Sequence, residues 1–281
     1  MKLATVKIDN RTSWGVVQDD LFYDVGLTLK NQYDDLKAAI AGGLAGVEQA
    51  LADSASYPVA SVQWLAVIPN PDKILCIGLN YEMHRQETGR AEVAHPTVFG
   101  RFANSQTGHL APIIRPKVSI ELDYEGELAI IIGKAGRYIK REDAFEHIAG
   151  YSCYNDGSIR DYQRHTIQFT PGKNFPDTGA FGPWMMTPDE LGPLENLKLQ
   201  TRLNGQVVQE AYISQMIFDI ATQIEYCSSF TKLEPGDVIV SGTPGGVGAK
   251  RNPPLWMKPG DIVEVEVDKL GILRNPVEEE K

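Results

Sequence analysis

The sequence predicts a mostly-β chain with some helix, an α+β architecture, on three observations. Strand-like stretches outnumber helical ones, and no βα alternation repeats along the chain. Residues 197–211 carry a hairpin signal, alternating runs on either side of Asn204-Gly205, a dipeptide that accepts positive φ at both positions of a tight turn. At 281 residues, 42% hydrophobic and 23% charged, the chain can bury a substantial core. We place a small amino-terminal α/β unit at 1–68 and a larger domain at 69–281, with Pro58, Pro69 and Pro71 at the junction.

Residues 3–24 alternate apolar and polar around a turn at 9–13, which predicts two or three short antiparallel strands. The Ala- and Leu-rich residues 32–53 predict one or two short helices. A strand at 73–78 precedes a helix with Asn80 as its expected cap, and polar residues 88–96 form a mobile loop. Residues 128–132 are apolar throughout and read as a strand, with Glu125 and Glu127 at its start. A short helix at 142–148, a strand at 150–155 and a polar helix launched at Asp156 and running through His165 follow. Glycines and prolines around Lys173 make 166–183 an ordered loop. The stripe Ile217, Ile220, Ala221, Ile224 and Cys227 predicts a core-facing helix over 214–229. Strands at 237–240, 262–267 and 272–277 flank a glycine-rich turn at 241–248.

The net charge of −10, with no Lys/Arg cluster to offset it, argues against a nucleic-acid partner and leaves any anionic substrate to local cations. Cys76, Cys153 and Cys227 are odd in number, widely separated and set among apolar residues, as reduced thiols of a cytoplasmic protein are. Lys7 and Asp9 interrupt the amino terminus before an apolar core of signal length can form, and no stretch approaches the roughly 18 apolar residues of a membrane span. No membrane partner is expected.

On a strand, Glu125 and Glu127 leave the same face with Cα atoms about 7 Å apart. Two carboxylates pressed together beside an apolar run raise each other's pKa unless a cation sits between them. Taken alone, the pair also fits the wet face of an edge strand, where exposed Glu is ordinary. Asp156 offers a third carboxylate, or else caps a helix. Three carboxylates make an all-oxygen set that suits Mg²⁺ or Mn²⁺ rather than zinc. His84 and Glu87, three apart on a helix, form either an oriented general base or a surface ion pair. Lys173 follows a glycine that permits close approach to a ligand, and Arg101, Arg160 and Gln163 can hold a carboxylate. The turn at 241–248 offers backbone N–H groups and the Thr243 hydroxyl to an anion. A nucleotide-binding reading of it fails, because Ala249 separates Gly248 from Lys250. His165, on one helix face with Asp161, is a rival base ranked behind His84, since Arg160 and Arg164 disfavour proton uptake.

Taken jointly and in order, G-L-N-Y-x-x-H-x-x-E, D-Y-E-x-E-L-A, N-D-x-S-x-R-D-x-Q, G-K-N-F and S-G-T-P-x-G-V-G resemble the fumarylacetoacetate hydrolase family over about residues 71–277. The resemblance implies a mixed β-roll catalytic domain, usually a homodimer, binding Mg²⁺ or Mn²⁺ through Glu125, Glu127 and Asp156. It implies that His84 and Glu87 lie on a lid and activate water, that Lys173 stabilises an oxyanion, that Gln163 lines the pocket, and that Thr243 with its neighbouring glycines receives a substrate carboxylate. The chain departs from many relatives at Arg101-Phe102, where they read Lys-Pro. The activity so implied is hydrolysis of an acylpyruvate, a 2,4-dioxo acid, to pyruvate and a carboxylic acid, as in aromatic catabolism. Decarboxylation of an oxaloacetate-like acid and isomerisation, keto–enol or of a 2-hydroxydienoate, use the same site. A metal-free binding protein on the same fold is the reading from another class.

Overall fold

The computed structural model describes all 281 residues. Alternation near the amino terminus produces the antiparallel strands Lys2–Ile8, Arg11–Gln18 and Leu21–Tyr23. Their turns, Asp9-Asn10 and Asp19-Asp20, have positive φ at both residues, the conformation that matches strand twist and that Asn and Asp tolerate. The expected helices form at Leu36–Ala41 and Val47–Leu51, with Asp35 capping the first by accepting from Ala38 N at 2.7 Å.

This amino-terminal meander joins the main sheet directly. Lys2 and Leu3 pair antiparallel with Met186 and Met185 of the strand Gly179–Met186, so both sides of residue 68 share one twelve-stranded sheet. From there the sheet continues through Ile148–Asn155, Gly126–Ile132, Val238–Val240, Ile74–Gly78 and Thr97–Arg101. A second, five-stranded sheet is built on the hairpin Lys198–Leu203 and Gln206–Tyr212, with Asn204 and Gly205 at φ 52° and 78° as their sequence demands.

The unbroken apolar run at 128–132 is explained by burial on both faces, as in strands sandwiched between layers. Leu128, Ile130 and Ile132 share a core with Leu199, Leu203, Val263 and Val265 of the second sheet. Ala129 and Ile131 share another with Val25, Leu36 and Val67. The two sheets nearly touch at Gly126, where an added Cβ would lie 2.0 Å from Thr201 Oγ1.

Several elements differ from expectation. Residues 166–183 are not one loop: they hold the helical turn Thr170–Lys173 and the start of Gly179–Met186. Ala180 and Phe181 are fully buried there, and Gly179 marks a close approach rather than a break. The helix expected over 214–229 spans Ile220–Phe230, begun by Asp219 accepting from Thr222 N at 2.9 Å, and Ile217 lies before it, 40% exposed. The helix from Asp156 through His165 shrinks to Arg160–Gln163, because Ser158–Ile159 pair with Leu122–Asp123 instead. The helix expected at 142–148 is a 3₁₀ helix, Arg141–His147. All three cysteines are buried and free, and no helix is long and apolar enough to cross a membrane.

The contact at Gly126 gives the first test. Gly126→Ala is expected to destabilise by about 1–3 kcal/mol through overpacking. Adding Thr201→Ala, which removes the clashing hydroxyl, should return most of that loss, as a double-mutant cycle in chemical denaturation would measure.

Candidate metal centre

Strand register brings the acids together. Gly126 is opposite Asn155 in the antiparallel pair, so Glu125 and Asp156 follow one another across the strand ends, with Asp156 N donating to Glu125 O at 2.8 Å. Glu127 leaves the same side of its strand as Glu125. All three side chains are buried, and one oxygen from each lies within 4.8 Å of the others.

Three buried cations surround them. Lys173 Nζ is 2.6 Å from both Glu125 Oε2 and Asp156 Oδ2. Arg160 Nη1 is 2.7 Å from Glu125 Oε1, while its Nε donates to Asp123 Oδ2 at 2.8 Å. Arg101 Nη1 donates to Asp156 Oδ1 at 2.5 Å. Glu127 has no cationic partner; its Oε2 accepts only from Gly242 N, at 2.5 Å. Four acids (Asp123, Glu125, Glu127, Asp156) against three bases (Arg101, Arg160, Lys173) leave one negative charge, and it falls on Glu127.

The electrostatics follow that inventory. Burial, then the neighbouring Asp156 and Glu125, push Glu127 well above the ordinary glutamate value of 4.5. For Glu125 burial acts the same way, but Arg160 and Lys173 overcome it and bring the carboxyl down to about 2. Lys173 is opposed by burial yet raised by Asp156 and Glu125, so it stays an ammonium. A buried carboxylate without a counter-charge is costly unless it is neutralised or binds an ion. Three such oxygens with one charge in excess fit a hard divalent cation.

His84 lies on the helix Glu82–Thr88, paired through Nδ1 to Glu87 Oε1 at 2.7 Å. Its Nε2 has no protein partner, and the imidazole lies close enough to Glu125 to couple to it, so ring and carboxylates share one site. Glu87 Oε2 accepts from Gly246 N at 2.9 Å. Asn80 is not the helix cap, which is Tyr81. Fully buried, its amide instead donates to Phe218 O and Ser241 O at 2.9 and 2.7 Å and accepts from Phe218 N, clamping the helix start to the glycine-rich turn.

Three groups expected to contact substrate are engaged within the protein. Arg101 does not offer a free guanidinium: Nε donates to Ser105 Oγ, Nη1 to Asp156 Oδ1 and Gly157 O, and Nη2 to Thr178 Oγ1 and Ser105 O, which uses all five N–H groups. Thr243 donates to Gly126 O at 3.0 Å and accepts from Gln209 Nε2 at 2.8 Å, so its hydroxyl hydrogen is committed within the protein. The N–H groups of the turn hold the chain's own acids rather than standing open: Gly242 serves Glu127, Gly246 serves Glu87, and Gly248 and Ala249 serve Asp123.

Free donors lie elsewhere. Arg160 Nη2 is buried without a partner, and Gln163 accepts from Arg160 Nη1 at 2.9 Å while its own amide N–H groups find no protein acceptor. Gly172 lets these two helical turns meet, since a Cβ there would lie 2.4 Å from Gln163 N. His165 is exposed, with its ring 4.6 Å from that of Tyr162. Two residues were not anticipated. Asp123 lies two positions before Glu125, so the same strand alternation could have found it. Gln209 accepts from Gly126 N at 3.0 Å and donates to Thr243 and Pro244 O, across a sequence gap that leaves no local signal.

Residues 73–278 match the fumarylacetoacetate (FAA) hydrolase C-terminal family, and the chain belongs to it. It is 42% identical over 220 residues to the mitochondrial oxaloacetate tautomerase fahd2 of Xenopus laevis, spanning 78% of this chain and 69% of that one. With the oxaloacetate tautomerase YisK of Bacillus subtilis (strain 168) identity is 37% over 301 residues, 99% of this chain and 100% of the other. Among solved structures, the fumarylacetoacetate hydrolase of Exiguobacterium antarcticum superposes with a TM-score of 0.88 at 34% identity over the full length of both chains. The maleylpyruvate hydrolase of Sphingobium sp. SYK-6, solved with manganese(II) and pyruvate, does so at 0.83 and 29%, again over both full lengths.

The unbalanced charge on Glu127 is testable without substrate. A carboxyl whose pKa is raised on folding contributes stability that is complete below its unfolded value and is lost as pH rises through the folded one. In chelator-treated protein, unfolding stability should therefore fall as pH climbs above about 4.5, by about 1.4 kcal/mol per pH unit between the two values. Glu127→Gln should abolish that part of the slope and, in calorimetric titration, Mn²⁺ binding with it.

Proposed function

We propose that this protein catalyses keto–enol tautomerisation of a small 2-oxo dicarboxylate of the oxaloacetate class, using Mg²⁺ or Mn²⁺. The observation that carries this reading is the His84–Glu87 pair beside the acid cluster, a base with one nitrogen held and the other free. The identity to two oxaloacetate tautomerases supports it.

When bound by Glu125, Glu127 and Asp156, a divalent cation supplies Lewis acidity to the carbonyl oxygen of a 2-oxo acid. With Nδ1–H donated to Glu87, His84 Nε2 is the unprotonated nitrogen and accepts a proton from C3. The C3–H electron pair becomes the C2–C3 double bond, and the C2 oxygen takes a proton, so mass is unchanged. Glu87 stabilises the imidazolium formed at His84, and Gly246 N fixes the second Glu87 oxygen so that the ring cannot swing. Lys173 carries two short bonds to carboxylates and only a 3.4 Å contact from its ammonium to Asp156 O, which leaves donor capacity for the charge developing on the C2 oxygen. Arg160 Nη2 and the Gln163 amide are the unpaired donors for a substrate carboxylate.

Acylpyruvate hydrolysis is the second reading, favoured by the likeness to maleylpyruvate hydrolase. There His84 Nε2 would take its proton from water attacking the C4 carbonyl, with Lys173 at the oxyanion.

The deciding experiment follows enol-oxaloacetate relaxation by its ultraviolet absorbance with Mg²⁺ present, together with NMR product analysis on oxaloacetate and a small set of acylpyruvates. Catalysed relaxation without new products is expected. His84→Ala should slow it by about 10²–10⁴-fold, the usual loss with a general base. Release of pyruvate and a free acid from an acylpyruvate, without accelerated tautomerisation, would replace the first reading by the second.

A further inference from the structure

Arg101 is the one buried cation of the cluster that the proposed reaction does not use. Its guanidinium is fully enclosed, with side-chain exposure of 0%. The pocket around it is built to size: an added Cβ at Gly179 would lie 2.6 Å from Nη2, and Ser105 and Thr178 close the remaining sides through hydrogen bonds. This enclosure divides the labour of Asp156. Oδ1 is turned into the Arg101 pocket at 2.5 Å from Nη1, while Oδ2 faces Lys173, which in turn contacts Glu125. Only one oxygen of Asp156 is offered to the place where the three acids converge.

We propose that Arg101 is a positioning residue that holds Asp156 to one-oxygen ligation and thereby makes the site select a small octahedral divalent cation over Ca²⁺. The proposal rests on the metal-site reading of Glu125, Glu127 and Asp156, and not on which reaction the site performs. Its physical basis is ligand number. Ca²⁺ takes about 6–8 oxygens and readily accepts both oxygens of one carboxylate, whereas Mg²⁺ requires near-ideal octahedral geometry with fewer protein oxygens. An aspartate whose second oxygen is held by a guanidinium that cannot move withholds the bidentate contact on which the larger ion depends. The neighbouring acids are limited too, since Glu125 Oε1 is held by Arg160 and Glu127 Oε2 by Gly242 N.

The test is calorimetric titration of the whole chain with MgCl₂, MnCl₂ and CaCl₂ alone, comparing wild type, Arg101→Gln, Arg101→Lys and Thr178→Val. In Arg101→Gln, Oδ1 is released. Mg²⁺ affinity should fall by about 10–100-fold, as when other outer partners of a ligand are lost, while Ca²⁺ affinity holds or rises. Arg101→Lys keeps an ammonium for Oδ1 and should recover much of the wild-type preference. Thr178→Val removes one partner of Nη2 without touching charge, and should shift the Ca²⁺/Mg²⁺ ratio in the same direction by less. Equal losses for all three ions in Arg101→Gln would reduce Arg101 to a structural residue and overturn the proposal. If that variant does not fold, an unchanged ratio in Thr178→Val overturns it equally. Wild-type protein that binds none of the ions removes the metal reading itself, a distinguishable failure.

Discussion

One constraint governs the centre of this molecule: four carboxylates are buried together with only three cations. Burying an ion pair is at best close to neutral in stability, and burying an unpaired carboxylate is unfavourable. The surrounding structure must therefore overdetermine the positions of these groups. It does so by drawing each cation from a different segment. Arg101 comes from the end of Thr97–Arg101, Arg160 from a helical turn, and Lys173 from another pressed against it through Gly172. The strand that carries Glu127 is packed on both faces by separate cores, so the acids cannot drift apart to relieve their repulsion. The remaining charge is the feature that a divalent cation satisfies.

The glycine-rich turn after Val238–Val240 links this cluster to the proposed base. Through Gly242 it holds Glu127, through Gly246 it holds Glu87, and through Gly248 and Ala249 it holds Asp123. Gly242 and Gly246, at φ 102° and 103°, lie in a conformation that side-chain-bearing residues rarely adopt, which is why glycine stands at both. Gln209 and Asn80 fasten the same turn from the second sheet and from the helix start. A shift of this turn would therefore move an acid of the cluster and the carboxylate that orients His84 together.

What the sequence shows well is what is local. The Asn-Gly hairpin, the apolar run beside Glu127, the Asp-rich turns of the amino-terminal meander and the i,i+3 pair His84–Glu87 are all set by neighbours within a few residues. Choices of distant partner are not visible in that way. Asn80 has the chemistry of a helix cap, and only the approach of residues 218 and 241 turns it into a clamp. Arg101 has the chemistry of a substrate anchor until its five donors are counted against Ser105, Asp156, Gly157 and Thr178. Gly179 resembles a loop residue although it lies in a central strand, because its lack of a side chain serves a neighbour in space. The five motifs in combination identified the family where single residues left the alternatives open.

The distribution of donors also bears on which reaction the site favours. Most N–H groups around the cluster are occupied by the protein's own oxygens, leaving Arg160 Nη2, the Gln163 amide and the loosely engaged third proton of Lys173. Tautomerisation needs a carboxylate anchor, a stabiliser for one developing oxygen charge and a single base, and these three donors with His84 meet that need. Hydrolysis of a carbon–carbon bond adds a positioned water and a second oxygen centre at C4 that must carry charge in the transition state. Lys173, held by two carboxylates at 2.6 Å, cannot serve both oxygens without giving up one of those bonds. With Glu125 and Asp156 buried beside it, loss of either bond leaves a carboxylate with one partner fewer in a low-dielectric setting. The scarcity of free donors thus supports the proposed reading, in which a small substrate gains or loses one proton.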